Sequence, residues 1–261
     1  MKRNILITLA IIILIIDCAL FTYKIYNKKS LSLKENTSIT TKEPKYSVYL
    51  TSDDGPLVGS KYLDQIIRDY QVPFTIFLVG RPLSSDSNLE PNFIRYKNNP
   101  YVLLANHSFS HANFHYKRFY KNPFNVEQDF IKNENFLHLT SKIGRLPGRN
   151  VYSINSVAKG EPNALKAARL LTKNEDYKLF GWDYELSHKR GRVVEDNATI
   201  HYLKIKKLLK DKKTFRENQL IILMHDQMFT SPITQKTLGE LILLLQDDKE
   251  IELKTLDKYK I

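Results

Sequence analysis

The sequence predicts an α/β fold with a mainly parallel sheet, because apolar runs of strand length alternate with helically spaced apolar residues from residue 46 onward. A domain of roughly 215 residues is small for a regular eight-stranded barrel, which typically has about 250 residues. We therefore expect a distorted, incomplete (β/α)7 barrel, although periodicity alone does not exclude an open doubly wound sheet. The seven predicted strands are Tyr46–Thr51, Phe74–Val79, Val102–Ala105, Ile143–Leu146, Tyr177–Trp182, Leu220–Met224 and Ile251–Lys254.

Five segments between these strands have the spacing of an amphipathic helix. In the first, the apolar side chains of Leu63, Ile66 and Ile67 fall on one helical face. Pro91 and Pro162 stand where helices could begin, since proline is favoured in the first helical turn. The five segments are residues 62–70, 130–137, 164–171, 200–209 and 237–245.

The N-terminal segment, residues 1–23, is predicted to be a membrane anchor. Two basic residues precede an apolar run at residues 5–23, which is about as long as the roughly 20 residues that a spanning helix needs. No small-x-small cleavage site follows the run, which favours an uncleaved anchor over a removed signal peptide. Residues 24–45 are predicted to be a polar linker, and residues 46–261 a catalytic domain. We expect a single-pass protein of the cytoplasmic membrane whose domain lies outside the cytoplasm, although lysines also follow the apolar run.

Composition and charge limit the class of protein and of partner. Hydrophobic residues make up 42% of the chain and charged residues 26%, which excludes a largely disordered chain and a polytopic membrane protein. The formal net charge of +12 suits an anionic partner. No nucleic-acid recognition motif accompanies that charge, so we expect no nucleic-acid partner. The single cysteine, Cys18, excludes an intrachain disulfide.

Polar side chains follow successive predicted strands at the same end of each strand. Because the C-terminal ends of parallel strands meet at one rim, where active sites of α/β proteins are built, we expect these side chains to lie together. An arginine at such a strand end can hold a carboxylate in its ionised form. The residues are Asp53 and Asp54, His107 and His111, Arg145, Trp182 and Asp183, and His225 and Asp226.

Asp54, His107 and His111 are predicted to bind a divalent metal ion, which we expect to be zinc. Imidazoles at positions i and i+4 lie on one face of a helical turn and can bind one ion. Two histidines and one carboxylate leave positions open for water, as in catalytic rather than structural zinc sites. His115, four residues further on, is expected to face solvent or to support the ligands, because Asp54 already completes the set.

These motifs resemble, in order and spacing, those of the polysaccharide deacetylases of carbohydrate esterase family four. The resemblance covers roughly residues 45–228 and implies a distorted seven-stranded barrel. Its motifs are Thr51-Ser52-Asp53-Asp54-Gly55, the His-Ser-x-x-His motif at His107–His111, an Arg-x-Pro-x-Gly type motif at Arg145–Arg149 with arginine at the usual glycine, and Leu223-Met224-His225-Asp226.

The resemblance implies a role for each catalytic residue. Asp53 would be the general base, Arg145 would hold it, and His225 would be the general acid. The segment Gly181–His188 departs from the spacing of the family's fourth motif, so the residue that tunes His225 stays open. The candidates for that role are Asp183, Glu185 and His188.

The expected function is metal-dependent hydrolysis of N-acetyl groups from an N-acetylated polysaccharide or surface glycan, with release of acetate. Two alternatives stay open: an O-acetyl esterase that uses the same site, and a non-catalytic, membrane-tethered glycan-binding protein. The residues expected to bind the glycan are Trp182, Asp183 and Pro147.

Overall fold

The computed structural model describes residues 43–155 and 157–260, and the compact unit begins at Pro44. All seven predicted strands are present, and β4 and β7 are shorter than predicted. The strands are β1 Tyr46–Gly55, β2 Phe74–Leu78, β3 Val102–Asn106, β4 Ile143–Gly144, β5 Val151–Ile154, β6 Val157–Gly160, β7 Lys178–Leu179, β8 Tyr184–Glu185, β9 His188–Lys189, β10 Arg192–Val193, β11 Gln219–His225 and β12 Ile251–Leu253.

The five predicted helical segments are all helical. Pro91 lies in the first turn of a further helix, as its position predicted, and Pro162 begins a short 3₁₀ turn. The α-helices are α1 Ser60–Tyr70, α2 Gly80–Ser85, α3 Glu90–Lys97, α4 Tyr116–Phe119, α5 Pro123–Leu137, α6 Leu165–Glu175, α7 Ala198–Lys210 and α8 Pro232–Asp247.

The main sheet has the strand order expected of a barrel that does not close. Its order is β6-β5-β7-β4-β3-β2-β1-β11-β8, and β12 also pairs with β1. From β1 to β4 each strand lies beside the next strand in the chain, as in a barrel and unlike the reversing order of a doubly wound sheet. Within the described residues β7 and β8 do not pair, so the ring is open at that point. The α/β prediction is confirmed, and the order fits an incomplete barrel.

Five strands were not predicted, and four of them depart from the parallel pattern. β5 pairs antiparallel with both β6 and β7, and β9 and β10 form a separate two-stranded hairpin. β8 adds to the free side of β11 in parallel. The expectation of a simple strand–helix alternation is therefore wrong between residues 151 and 193.

β1 is the central strand because it is paired along both edges. β11 pairs with it from Ser47 to Asp53, while the opposite edge is shared by β12 near its start and β2 near its end. Its alternating side chains enter two hydrophobic clusters: Val48 and Leu50 pack with α1, α7 and α8, and Tyr49 packs with Phe77 and Ile221 on the other face. Burial on both faces fixes the register, because a one-residue slip would exchange the two sets of side chains.

No helix of the described residues is long and apolar enough to span a membrane. The predicted anchor at residues 1–23 and nearly all of the predicted linker at residues 24–45 lie outside those residues, so both stay predictions.

We predict that Ile222→Ala lowers the free energy of unfolding by about 2–5 kcal/mol, because Ile222 is fully buried in β11 and truncation leaves a cavity. Urea denaturation measures the change. Ile94→Ala is the matched control, since Ile94 is 44% exposed on α3, and it should change stability by less than about 0.5 kcal/mol. Equal effects of the two variants would contradict this account of the core.

Candidate active site

The two adjacent carboxylates at the end of β1 are separated by an irregularity in the strand. Between Ser52 and Gly55, β1 has one more residue than β2, where Ser52 pairs with Ile76 and Gly55 with Leu78. Such a bulge re-aims side chains, and it is common beside active sites. Asp54 has a φ of 73°, in the left-handed region. Asp53 remains in register with His225 of β11, so the strand ends bring these two residues together.

His107 and His111 lie on an irregular loop after β3, so the prediction of a helical turn is wrong. Ser108 and His111 have φ values of 65° and 49°, which a right-handed helix does not contain. The loop is held by side chains instead: Ser108 N–H donates to Asn106 Oδ1 at 2.9 Å, and His111 N–H donates to Ser108 Oγ at 3.2 Å. These local hydrogen bonds replace the helical ones.

Asp54, His107 and His111 nevertheless converge as predicted, with one ligand atom from each within 4.8 Å of the others. Asp54 Oδ1 lies 3.1 Å from His111 Nε2 and 3.7 Å from His107 Nε2. These separations suit atoms that each lie about 2 Å from one ion. Asp54 Oδ1 is buried and accepts no hydrogen bond from the described residues. The three side chains therefore fit a metal ion.

The protonation of the two histidines also suits a cation. Burial lowers the pKa of both histidines, that of His111 to about 4, so both imidazoles are neutral near pH 7. His107 Nδ1 lies 2.8 Å from the carbonyl oxygen of Arg145. That oxygen can only accept, so the proton of His107 is on Nδ1 and the lone pair of Nε2 faces Asp54.

Arg145 is fully buried and donates to four oxygen acceptors. Its Nη1 donates to Asp53 Oδ1 at 2.7 Å and to Thr51 Oγ1 at 2.9 Å. Its Nε and Nη2 donate to the carbonyl oxygens of Phe180 at 3.1 Å and Gly181 at 2.9 Å. The guanidinium therefore fixes Asp53 relative to the segment that follows β7.

Asp53 is ionised although it is buried. Burial alone would raise its pKa, but the positive charge of Arg145 outweighs burial and holds the pKa below its usual value. Its Oδ1 accepts from Arg145, while Oδ2 lies 3.4 Å from His107 Nε2. Asp53 thus presents a fixed carboxylate beside the cluster of three potential ligands.

Six of the nine predicted site residues line one cavity of about 1850 Å³. Trp182 lines it, but Pro147 and Asp183 do not. Pro147 is buried. Asp183 Oδ1 and Oδ2 accept the backbone N–H groups of Phe215 at 2.6 Å and Ile221 at 2.8 Å. Among the residues that line the cavity are Asp53, Asp54, His107, His111, Trp182, Glu185, His188 and His225.

A buried polar cluster behind the site was not predicted. The carboxylate of Asp226 accepts from Leu57 N–H at 3.0 Å, Ser60 Oγ at 2.6 Å and the hydroxyl of Tyr96. It joins the end of β11 to α1 and α3, and it faces away from the cavity. Burial raises the pKa of Asp226 to about 6 despite the three hydrogen bonds. The Asp226 that follows a histidine was visible in the sequence, but its partners are 130 or more positions away.

Asp129 on α5 also supports the histidine loop without having been predicted. Its Oδ2 accepts from Ser110 N–H at 2.9 Å and from Ser110 Oγ at 3.0 Å. No feature of the local sequence indicates this pairing, because α5 is placed against the loop only by the tertiary fold.

Comparison with known proteins agrees with this site. Residues 40–144 match the family model described as polysaccharide deacetylase. No curated protein sequence gives a significant match. The matched segment contains two of the motifs that resemble those of the polysaccharide deacetylases, at residues 51–55 and 107–111.

Solved structures share the fold at low sequence identity. A CE4 esterase from Streptococcus mutans is 20% identical, with a TM-score of 0.61 over 81% of this chain and 86% of that chain. The catalytic domain of a peptidoglycan N-acetylglucosamine deacetylase from Eubacterium rectale is 14% identical, with a TM-score of 0.59 over 88% and 96%. The Xyl-CE4 domain of a multidomain xylanase from the hindgut metagenome of Trinervitermes trinervoides is 19% identical, with a TM-score of 0.55 over 83% and 89%.

We predict that Asp226 makes folding less favourable as pH rises from about 4 to 6. Its folded pKa lies above the unfolded value of 3.8, so the folded state binds the extra proton and its stability falls as that proton is lost. Between pH 4 and pH 6, the free energy of unfolding of Asp226→Asn should increase relative to that of wild type by on the order of 2 kcal/mol. The altered hydrogen bonds should add a destabilisation that does not depend on pH. Urea unfolding of both proteins at pH 4, 5 and 6 measures the difference, and a difference independent of pH would contradict the prediction.

Proposed function

We propose that the protein hydrolyses N-acetyl groups of an N-acetylated glycan and releases acetate, with a divalent metal ion, most simply zinc, bound at the site. The observation that carries this proposal is the convergence of Asp54, His107 and His111 beside an arginine-held Asp53 and a histidine at the end of β11. A structural metal site would not require the two additional groups. A carboxylate base, an imidazole acid and three ligands with open positions form a complete set for amide hydrolysis.

Asp54, His107 and His111 would hold the metal ion. An ion held by two histidines and a carboxylate supplies a Lewis acid that polarises the acetyl carbonyl and increases the acidity of the attacking water. The neutral imidazoles and the unpaired Oδ1 of Asp54 support this assignment. The donor set of nitrogen and oxygen atoms suits zinc, among other divalent metals.

Asp53 would act as the general base. Its low pKa, which Arg145 maintains, keeps it ionised and able to accept a proton from the attacking water. Because Arg145 occupies Oδ1, the oxygen available for the proton is Oδ2, on the side of His107. Arg145 would therefore determine both the charge and the orientation of the base.

His225 would act as the general acid. It lines the same cavity, and the pairing of β1 with β11 places it in register with Asp53. When the carbon–nitrogen bond breaks, its electron pair remains on nitrogen, and protonation by His225 allows the amino sugar to leave as a neutral amine. The same group would be less important for an ester, whose leaving oxygen is a weaker base.

The wall of the cavity supports a sugar substrate. Trp182, Phe109, Phe114 and Tyr116 line it, and Phe114 is 78% exposed. Exposed aromatic rings beside polar catalytic groups offer flat faces on which sugar rings can stack. Outside the described residues, we propose that residues 1–23 anchor the chain in the cytoplasmic membrane, with the domain on the outer side, where envelope and surface glycans lie.

Two alternative functions are separated by the choice of substrate. Acetate release from acetylated xylan, without release from N-acetylglucosamine oligomers, would indicate an O-acetyl esterase. One equivalent of bound zinc with no turnover of any acetylated glycan would indicate a glycan-binding protein. A panel of both substrate types, assayed with chelator and with metal added back, distinguishes the three functions.

We predict that His107→Ala and His111→Ala each reduce acetate release from N-acetylglucosamine oligomers to below about 1% of wild type, because the site loses the group that polarises the carbonyl. Elemental analysis should show less than one equivalent of metal in both variants. His138→Asn is the matched control: His138 is exposed, lies at the end of α5 and should leave activity and metal content unchanged. Full activity in a metal-free variant would refute the metal-dependent mechanism.

We predict that Asp53→Asn separates the base from the metal ligands. The amide keeps the size of the side chain but cannot accept the proton, so kcat should fall by about 10²–10⁴-fold. The metal content should stay at one equivalent, since Asp53 is not among the three ligands. Loss of the metal in this variant would show that Asp53 is a ligand and not the base.

A further inference from the structure

Within the described residues, no carboxylate is hydrogen-bonded to His225, although an imidazole that serves as a general acid normally needs such a partner to support its positive charge. Asp183 is engaged by two backbone N–H groups, and Asp226 by Leu57, Ser60 and Tyr96. Glu185 is exposed and forms no hydrogen bond with His225. The Nδ1 atom of His225 is buried without a hydrogen-bond partner. A buried donor or acceptor without a hydrogen-bond partner lowers the stability of the fold. Such an atom is therefore a position at which a partner could be gained during function.

The side chain that does contact His225 is another histidine. The rings of His188 and His225 lie with centroids 4.9 Å apart at an interplanar angle of 51°, and both line the cavity. The Nδ1 atom of His188 is likewise buried and unpaired. Its Nε2 lies 3.0 Å from Nε2 of the Gln227 side chain. The three side chains therefore form a row that ends at His225.

The β9–β10 hairpin carries His188 into this position. Val193 of β10 donates its N–H to Thr234 Oγ1 on α8 at 3.1 Å, and Val194 N–H donates to the carbonyl oxygen of Ser187 at 2.9 Å. The first contact ties the hairpin to α8, and the second closes the base of the hairpin. His188 is thus held against the site by a hydrogen-bonded hairpin and does not lie on a free loop.

We propose that His188 is the positioning residue of His225, with Gln227 behind it, in place of a carboxylate. This inference rests on the proposed function. When His225 carries its second proton, one N–H faces the substrate and the other needs an acceptor. Nδ1 of neutral His188 can accept the hydrogen bond from this second N–H of His225. The Nε2–H of His188 then donates to Oε1 of Gln227, because a 180° flip of the Gln227 amide turns Oε1 towards His188.

The electrostatic environment of His188 agrees with hydrogen-bond donation from His225 to His188. Burial, and then the neighbouring His225, lower the pKa of His188, so its imidazole is neutral near pH 7 and able to accept. After the carbon–nitrogen bond breaks, the leaving nitrogen takes the proton of His225 that faces it, and both imidazoles are then neutral. The other charged and titratable groups that line this part of the cavity are Asp53, Asp54, His107, His111 and Glu185, and the replacement of His188 removes none of them.

The test uses two substrates that differ in their need for an acid. For full-length His188→Ala acting on N-acetylglucosamine oligomers, kcat should fall roughly ten-fold with KM unchanged, since general acids contribute about 10²–10⁴-fold and His225 itself remains. With 4-nitrophenyl acetate, whose leaving group departs without protonation, the variant should equal wild type. His188→Asn keeps an acceptor oxygen near the position of Nδ1 and should recover most of the loss. Gln227→Ala should give a smaller loss in the same direction, and His138→Asn no loss.

Two results would overturn the inference alone. The first is an unchanged kcat of His188→Ala on the oligomers, and the second is an equal loss on both substrates, which would indicate a structural role. Absence of acetate release by the wild-type protein from every glycan would instead overturn the proposed function. The wild-type assay therefore separates the two failures.

Discussion

A guanidinium group without access to solvent lies at the centre of the site, and four protein oxygens accept its hydrogen bonds. Removing such a charge from water costs several kcal/mol unless its donors are satisfied, so Arg145 is stable only when β1, β4 and the segment after β7 are all in place. The carbonyl oxygen of the same residue orients His107. The ionised state of Asp53 and the free lone pair of His107 consequently depend on one residue. Formation of the site and formation of the barrel are therefore coupled.

The fold could be predicted where strands are long and buried on both faces. β1, β2, β3 and β11 appear in the sequence as continuous apolar runs, because packing on two sides demands them. The pairs β5–β6 and β9–β10 could not be predicted in this way, since each strand has only two to four residues and depends on neighbours supplied by the tertiary fold. Asn150 illustrates this: it holds the backbone of Trp182, 32 positions away, through two hydrogen bonds.

For the site, the placement of polar residues at strand ends was sufficient to indicate which side chains converge, because parallel strands end at one rim. It was not sufficient for their local geometry. The loop after β3 takes its shape from Asn106 and Asp129, and only Asn106 is close in sequence. Asp183 was misleading for a related reason: a carboxylate after a strand can accept backbone N–H groups of a neighbouring strand as readily as it can face a substrate. Sequence position identifies the rim, but the side-chain direction depends on local backbone geometry.

The bulge in β1 restricts how this position can change during evolution. Asp54 adopts a φ of 73°, which most residues with a Cβ adopt only at a cost of about 1–2 kcal/mol, whereas glycine, asparagine and aspartate adopt it more readily. Of these three, only aspartate provides an anionic oxygen. Glutamate would keep the negative charge but would not favour the left-handed backbone conformation. Asparagine would favour that conformation but would not carry the charge. A homologue that lost aspartate here could retain the barrel unchanged, so a chain without the proposed metal site should still be a stable, folded protein.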